Sequence, residues 1–171
     1  MTLSLWRTDS WLQSICWKKQ LARALVEAER AIALDPNDAD GYVTLARILI
    51  GSGKIEEAIG ALEKAQRLNH RLPAILLAEL GGAYYLMGQH DKALAALQQG
   101  VPFNPNFLPL HESLAIVYSE LGRVEEANAE VAEVLRLSPK YSLEGVRQRL
   151  SYKDPAQAQR YLAALGKAGL K

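Results

Sequence analysis

The sequence predicts an all-α protein, a right-handed α-solenoid of stacked helix-turn-helix units closed by capping helices. The prediction depends on three sets of residues that recur at one interval, which is the signature of a repeat architecture. Alanines recur at steps of 34, 35 and 34 residues, at Ala24, Ala58, Ala93 and Ala127. Leucines and glycines recur in register with the last three of them, at Leu45, Leu80, Leu114, Gly53, Gly88 and Gly122.

Each part of the repeat has a physical reason. Leu45 and Leu49 are four residues apart and share one helical face, and the small Ala46 beside them lets a second helix approach closely. Gly53 supplies the left-handed residue that ends the first helix and opens a tight turn. The second helix then buries a stripe of alanines, and in two units a proline stops it, at Pro105 and Pro139.

This pattern resembles the tetratricopeptide repeat family. The best unit carries the resemblance in Leu80-Gly81-x-x-Tyr84, Ala93-x-x-x-Leu97 and Pro105. The resemblance implies repeats over residues 18–141, divided as 18–38, 39–73, 74–107 and 108–141. One departure is His70, which replaces the closing proline. It lies in a linker, Asn69 to Pro73, that is expected to bend the stack.

The N-terminal segment, residues 1–17, leaves two interpretations open. Trp11, Leu12 and Ile15 stand one period before Leu45, Ala46 and Leu49, which suggests half of a degenerate repeat. The turn glycine is missing, because Lys19 stands where Gly53 predicts one. With Trp6 and Trp17 nearby, the segment is either a helix that caps the stack or an exposed apolar patch that pairs with another chain.

The C-terminal segment, residues 142–171, is predicted to cap the last repeat, since a solenoid must cover its final apolar face. A short helix is expected from Ser142 to Leu150. Asp154-Pro155 is a typical helix start, the following helix has an apolar stripe, and Gly169 ends it. The stripe consists of Tyr161, Leu162 and Leu165.

The tail carries a second resemblance, to bacterial proteins in which tetratricopeptide repeats follow a class III adenylate/guanylate cyclase domain. The resemblance implies a regulatory module of bacterial signalling. It does not imply cyclase activity, because the chain has no room for that domain and lacks its metal-binding aspartates. The matching stretches are Leu135-Arg136-Leu137-x-Pro139, Ser142-Leu143-Glu144, Arg147-x-Arg149-Leu150, Tyr152-Lys153-Asp154-Pro155, Tyr161-Leu162 and Lys167-Ala168-Gly169-Leu170.

Composition excludes several classes of function. A formal net charge of +1 argues against nucleic acid as a partner, because phosphate binding needs an excess of Lys and Arg. No apolar run reaches the roughly 20 residues that span a bilayer, and the N-terminus is a poor signal peptide. We therefore expect a cytoplasmic protein without a membrane partner. The single cysteine, Cys16, cannot form an internal disulfide and is expected to be buried or capping.

We expect no enzymatic site, no bound metal and no cofactor. Gly51-Ser52-Gly53-Lys54 looks like part of a phosphate loop, but Ile48 and Ile55 occupy the positions that need glycine and Ser or Thr. The three histidines have no ligand spacing. His70 and His90 fall in predicted linkers, whereas His111 takes an aromatic packing position.

The predicted partner site is a stripe on the first helices, which line the concave side of such a stack. A protein or peptide segment is the expected partner, either an apolar helix or an extended strand, and the tail helix of the chain itself is one candidate. Self-association and a role within an adenylate cyclase remain alternatives. The stripe comprises Val43, Arg47, Ile50, Ala78, Gly82, Tyr85, Glu112, Ile116 and Ser119.

Overall fold

A computed structural model describes residues 5–69, 74–150 and 155–171, and every regular element in these ranges is a helix. Six of the helices form three hairpins, α2 with α3, α4 with α5, and α6 with α7, and the predicted all-α solenoid is confirmed. The helices are α1 Leu5–Leu34, α2 Ala39–Gly51, α3 Ile55–Leu68, α4 Ala74–Leu86, α5 His90–Gly100, α6 Leu108–Glu120, α7 Val124–Leu137, α8 Leu143–Arg149 and α9 Pro155–Lys167.

Glycine ends the first helix of each hairpin, as predicted. Gly53, Gly88 and Gly122 have φ angles of 76°, 71° and 72°, a left-handed conformation that other residues adopt only with strain. The turn also satisfies a helix-end carbonyl, because the Lys54 N–H donates to the Leu49 carbonyl oxygen at 2.9 Å. His90, expected in a linker, is instead the first residue of α5.

The two helices of a hairpin touch through a small residue on the first helix and a large one on the second. A Cβ atom placed on Gly81 would lie 2.4 Å from the Leu97 Cγ. The two helices are therefore too close at this point for a side chain larger than the hydrogen of glycine. The buried stripe of the second helix follows the predicted period, with Ala58, Leu62 and Ala65 all 0% exposed.

His111 is buried, but polar contacts rather than aromatic packing hold it. Its Nδ1 lies 2.6 Å from Glu130 Oε2 on α7, and its Nε2 lies 2.9 Å from the Pro105 carbonyl oxygen. The imidazole therefore joins the start of α6 to α7 and to the preceding loop.

The N-terminal helix α1 is continuous over 30 residues and packs against α2. The predicted boundary between residues 17 and 18 falls inside it, and the division into repeats stays a prediction there. Three sets of expectations lie outside the described residues. They concern the side chains of Trp6, Trp11, Cys16 and Trp17, the linker at His70 to Pro73, and the helix cap at Asp154.

The tail folds back onto the last repeat. Ser142 caps α8, accepting a hydrogen bond from the Gly145 N–H, and α9 packs against α6, extending the row of neighbouring first helices α2, α4 and α6. Leu165 and Leu170 are buried in the same core as α6. At its end, the Lys171 carbonyl accepts from the Leu143 N–H at 3.0 Å, joining the chain terminus to the start of α8.

Two adjacent glycines of α4 should respond in opposite directions to alanine. Gly81→Ala should lower the free energy of unfolding by on the order of 1 kcal/mol or more, because overpacking against Leu97 outweighs the better helix propensity of alanine. Gly82→Ala should raise it by up to about 1 kcal/mol, since a Cβ there meets nothing within 4 Å. Urea unfolding measures both, and equal signs would contradict the close approach.

Candidate partner-binding site

An open pocket lies between α4 and α6, two neighbouring first helices of the stack. Its volume is about 170 Å³. Gly82 and Ala78 form the α4 wall, Ser113 and Ile116 form the α6 wall, and α2 and α9 contribute Ile50 and Tyr161. The remaining lining residues are Glu79, Tyr85, Leu86 and Pro109.

The size and chemistry of the pocket restrict what it can hold. Small-molecule and cofactor sites usually measure about 300–1,000 Å³, so this pocket is too small for most of them. Most of its lining residues are apolar, and Gly82 leaves open space on one wall. These properties fit a single apolar side chain that enters from a partner segment.

One edge of the pocket is charged. The Arg47 Nε lies 3.2 Å from Glu79 Oε1, and this pair joins α2 to α4 across the groove. Burial raises the pKa of the Glu79 carboxyl, and the positive charge of Arg47 opposes that rise. The Arg47 side chain is 62% exposed, so it can reach a ligand that lies along the groove.

Tyr85 forms the floor near the tail and is not a surface residue. It is 5% exposed, the ring of Tyr161 meets it edge-on with centroids 6.4 Å apart, and the Arg160 guanidinium lies 5.3 Å from its ring centre. Burial raises the pKa of Tyr85 to about 12. Its hydroxyl is buried and finds no hydrogen-bond partner among the described residues.

Two ion pairs hold the tail over one end of the predicted stripe. Arg160 donates to both carboxylate oxygens of Glu120, at 2.8 and 3.1 Å. Glu112, 7% exposed, lies 3.7 Å from Arg149 at the end of α8. Burial and the charge of Glu112 raise the pKa of the neighbouring Tyr141 hydroxyl. The chain itself therefore occupies the acidic end of the stripe.

The structure brings together five of the nine predicted site residues. These five line the pocket: Ile50, Ala78, Gly82, Tyr85 and Ile116. Arg47 lies at its edge through Glu79, and Ser119 is half-buried. The expectation of a free surface is not met at Val43, which is buried in the core, or at Glu112, which the tail engages. Ala78, Tyr85 and Ile116 line the pocket but are only 8%, 5% and 1% exposed.

Sequence reasoning missed five lining residues, because the wall on α6 lies three positions before the predicted stripe and the wall on α4 is wider than predicted. On α6 the wall follows Pro109, Ser113 and Ile116, whereas the predicted stripe followed Glu112, Ile116 and Ser119. Both sets have helical spacing, so periodicity alone could not choose between them. The fifth, Tyr161, was noted only as part of a tail stripe.

The comparisons with known proteins agree with the fold. Residues 18–77 match the tetratricopeptide repeat family. The STIP1 homolog of Dictyostelium discoideum is 34% identical over 90 residues, which is 49% of this chain and 16% of that protein. The chain thus spans a small fraction of that relative. Among the helices of the described ranges, none is long and apolar enough to cross a membrane.

Two solved structures share the solenoid. TTC0263, a thermophilic tetratricopeptide repeat protein of Thermus thermophilus, is 28% identical with a TM-score of 0.64, covering 86% of this chain and 74% of that one. YrrB, a tetratricopeptide repeat protein with an unusual peptide-binding site, is 24% identical with a TM-score of 0.59, covering 93% and 80%. The chain shares the helical-hairpin solenoid fold of these two structures.

Docking of the tail should weaken in acid. The hydrogen bond from Arg160 holds the pKa of Glu120 below its ordinary value of about 4.5. A lowered folded-state pKa gives stability that is present above the ordinary value and is lost as the pH falls through the folded one. Hydrogen exchange of the α9 amides should therefore accelerate below about pH 4.5, relative to the α4 amides.

Arg160→Gln should accelerate exchange of α9 already at pH 7 and flatten this pH dependence. The matched control is Lys54→Gln, which removes an exposed pair with Glu57 far from the tail. If hydrogen exchange of the α9 amides responds neither to the pH nor to Arg160→Gln, the role given to this ion pair is wrong.

Proposed function

We propose that this solenoid of tetratricopeptide-type repeats is a protein-interaction scaffold that binds a partner segment in its concave groove. The observation that carries the proposal is the pocket between α4 and α6, open to solvent and sized for one side chain. The partner segment lies along Ile50, Ala78 and Gly82 and places one large apolar residue in the pocket. No step of chemistry is assigned to the site.

The boundaries of the groove support a ligand shorter than the predicted stripe. The tail covers the end with Tyr85 and Glu112, so the ligand lies toward α2, where Arg47 is exposed. The Arg47–Glu79 pair offers both charges to polar groups of the partner. A helix or an extended segment with one apolar anchor suits this surface, and YrrB provides a precedent for peptide binding on such a stack.

The biological setting rests on the tail resemblance alone. It supports a regulatory module in bacterial signalling, and the alternative is a part of an adenylate cyclase. The two differ in a nucleotide-turnover assay of the chain. We expect no turnover, and measurable turnover would favour the enzyme.

Filling the pocket should weaken peptide binding. A random peptide library displayed on phage is selected on the wild-type chain, and the selected peptides are titrated against Gly82→Leu. Burying one large apolar side chain contributes about 1.5–3 kcal/mol, so its loss should weaken binding by about 10- to 100-fold. The substitution has room, since nothing lies within 4 Å of a Cβ at Gly82.

The matched control is Ala95→Leu, which adds the same side chain at an exposed position of α5. Peptides should carry one recurrent large apolar residue and bind the control as tightly as the wild type. Selected peptides that bind Gly82→Leu unchanged would remove the pocket from the binding site, and a library that yields no binder would count against the scaffold.

A further inference from the structure

The N-terminal end of the stack has an uncovered face. In the other hairpins the alanine stripe of the second helix is fully covered, as at Ala65, 0% exposed, and its equivalent Val134, 1% exposed. The equivalent residue of α1, Ala31, is exposed, and Ala24 is only half-buried. Ala28, between them, is 8% exposed, whereas its equivalents Leu62 and Leu97 are 0% exposed. The stripe of α1 thus lacks part of the cover that the first helix provides in the later units.

The neighbouring helix α2 shows the same deficit. Leu80 and Leu114 are 4% and 1% exposed, whereas their equivalent Leu45 is half-buried. Ile48 is likewise half-buried, although its equivalents Ala83 and Val117 are covered. Together α1 and α2 leave a vacancy that a first helix would fill.

Residues 5–17 have the register of that missing helix. Shifting α2, Ala39–Gly51, back by one 34-residue period gives residues 5–17. Trp11, Leu12 and Ile15 then take the positions of Leu45, Ala46 and Leu49, and they share one helical face by their spacing.

Compared with the later hairpins, the large and the small residue of one helix–helix contact have exchanged places. In the second hairpin a small residue of the first helix, Gly81, packs directly on a large one of the second, Leu97. The equivalent pairs, Ala46 with Leu62 and Ala115 with Val131, repeat the small-with-large combination and are buried in the same core clusters. The equivalent pair is Leu12 and Ala28, large on small. A compensating exchange keeps the total volume and indicates that positions 12 and 28 pack together.

A single copy cannot make this contact in the observed fold. Residues 12 and 28 lie in one unbroken helix, α1, and 16 residues at 1.5 Å each separate them by about 24 Å along its axis. The turn that would return the segment is missing, because Lys19 replaces glycine.

We propose that residues 5–17 of one copy occupy the vacant first-helix place of a second copy, reciprocally, in a domain-swapped dimer. The two α1 helices run antiparallel, with position 12 of each against position 28 of the other. Positions 12 and 28 are symmetric about residue 20, which is where the later hairpins have their turn. The dimer therefore corresponds to a first hairpin that has opened at its turn and exchanged its first helix with a second copy. Such an exchange is self-complementary about a two-fold axis.

Disulfide trapping between two different copies tests the contact. Cys16 is the only cysteine, so a Cys16→Ser background removes every other thiol. Leu12→Cys and Ala28→Cys, each in this background, are co-expressed and oxidised. A covalent dimer of twice 18.8 kDa, containing one copy of each, is expected. The control pairs Leu12→Cys with Ala22→Cys, an exposed position on another face of α1, and should stay uncross-linked.

The decisive alternative is a closed hairpin. When both cysteines are placed in one chain, an internal disulfide in an 18.8 kDa monomer would overturn the swap. A wild-type chain that stays monomeric by light scattering at high concentration would also overturn it. Neither result bears on the peptide pocket, which lies between α4 and α6.

A second test, which does not depend on cysteine, restores at positions 12 and 28 the small and large residues of the later hairpins and measures the dissociation constant of the dimer. Ala28→Leu alone should raise the dimer dissociation constant, because Leu12 already fills that space. Ala28→Leu with Leu12→Ala should return it toward the wild-type value. Additive losses in the double variant would contradict a direct contact between positions 12 and 28.

Discussion

The close contact between the two helices of each hairpin is the constraint on which the rest of the structure depends. Gly81 leaves no room for a side chain toward Leu97, so the axes of α4 and α5 are forced together at that point. The turn glycine then has to reverse the chain within a few residues, and Gly88 does so with φ of 71°. Repetition of this contact every 34 or 35 residues fixes the period and aligns the first helices as one row.

The open pocket and the tail are consequences of that row. First helices that lie side by side leave a groove between them, and the small side chains Ala78 and Gly82 deepen it into a pocket. Next to α6 in this row, α9 packs on α6. Arg160 and Tyr161 of that helix also contact the ring of Tyr85. The same helix therefore covers part of the core and limits the length of the groove.

The sequence predicted the helices and turns well because periodicity and glycine report local constraints directly. The left-handed glycines and the stripe at Ala58, Leu62 and Ala65 follow from spacing alone. The face of the groove was harder to predict, because a shift of three positions along α6 preserves the helical spacing. The burial of Tyr85 and Glu112 was not predictable, since it depends on where the tail folds back over the first helices. His111 was predicted to be buried, but its acceptor Glu130 lies on another helix, 19 residues away.

The most direct test of the central claim is an amide and methyl NMR titration of the chain with a peptide selected from the library. Shift changes should concentrate at Ile50, Gly82 and Ile116, which line the pocket, with smaller changes at Tyr161 on its border. Changes confined to the second helices α3, α5 and α7 would contradict the account and place the binding surface on the convex side of the stack.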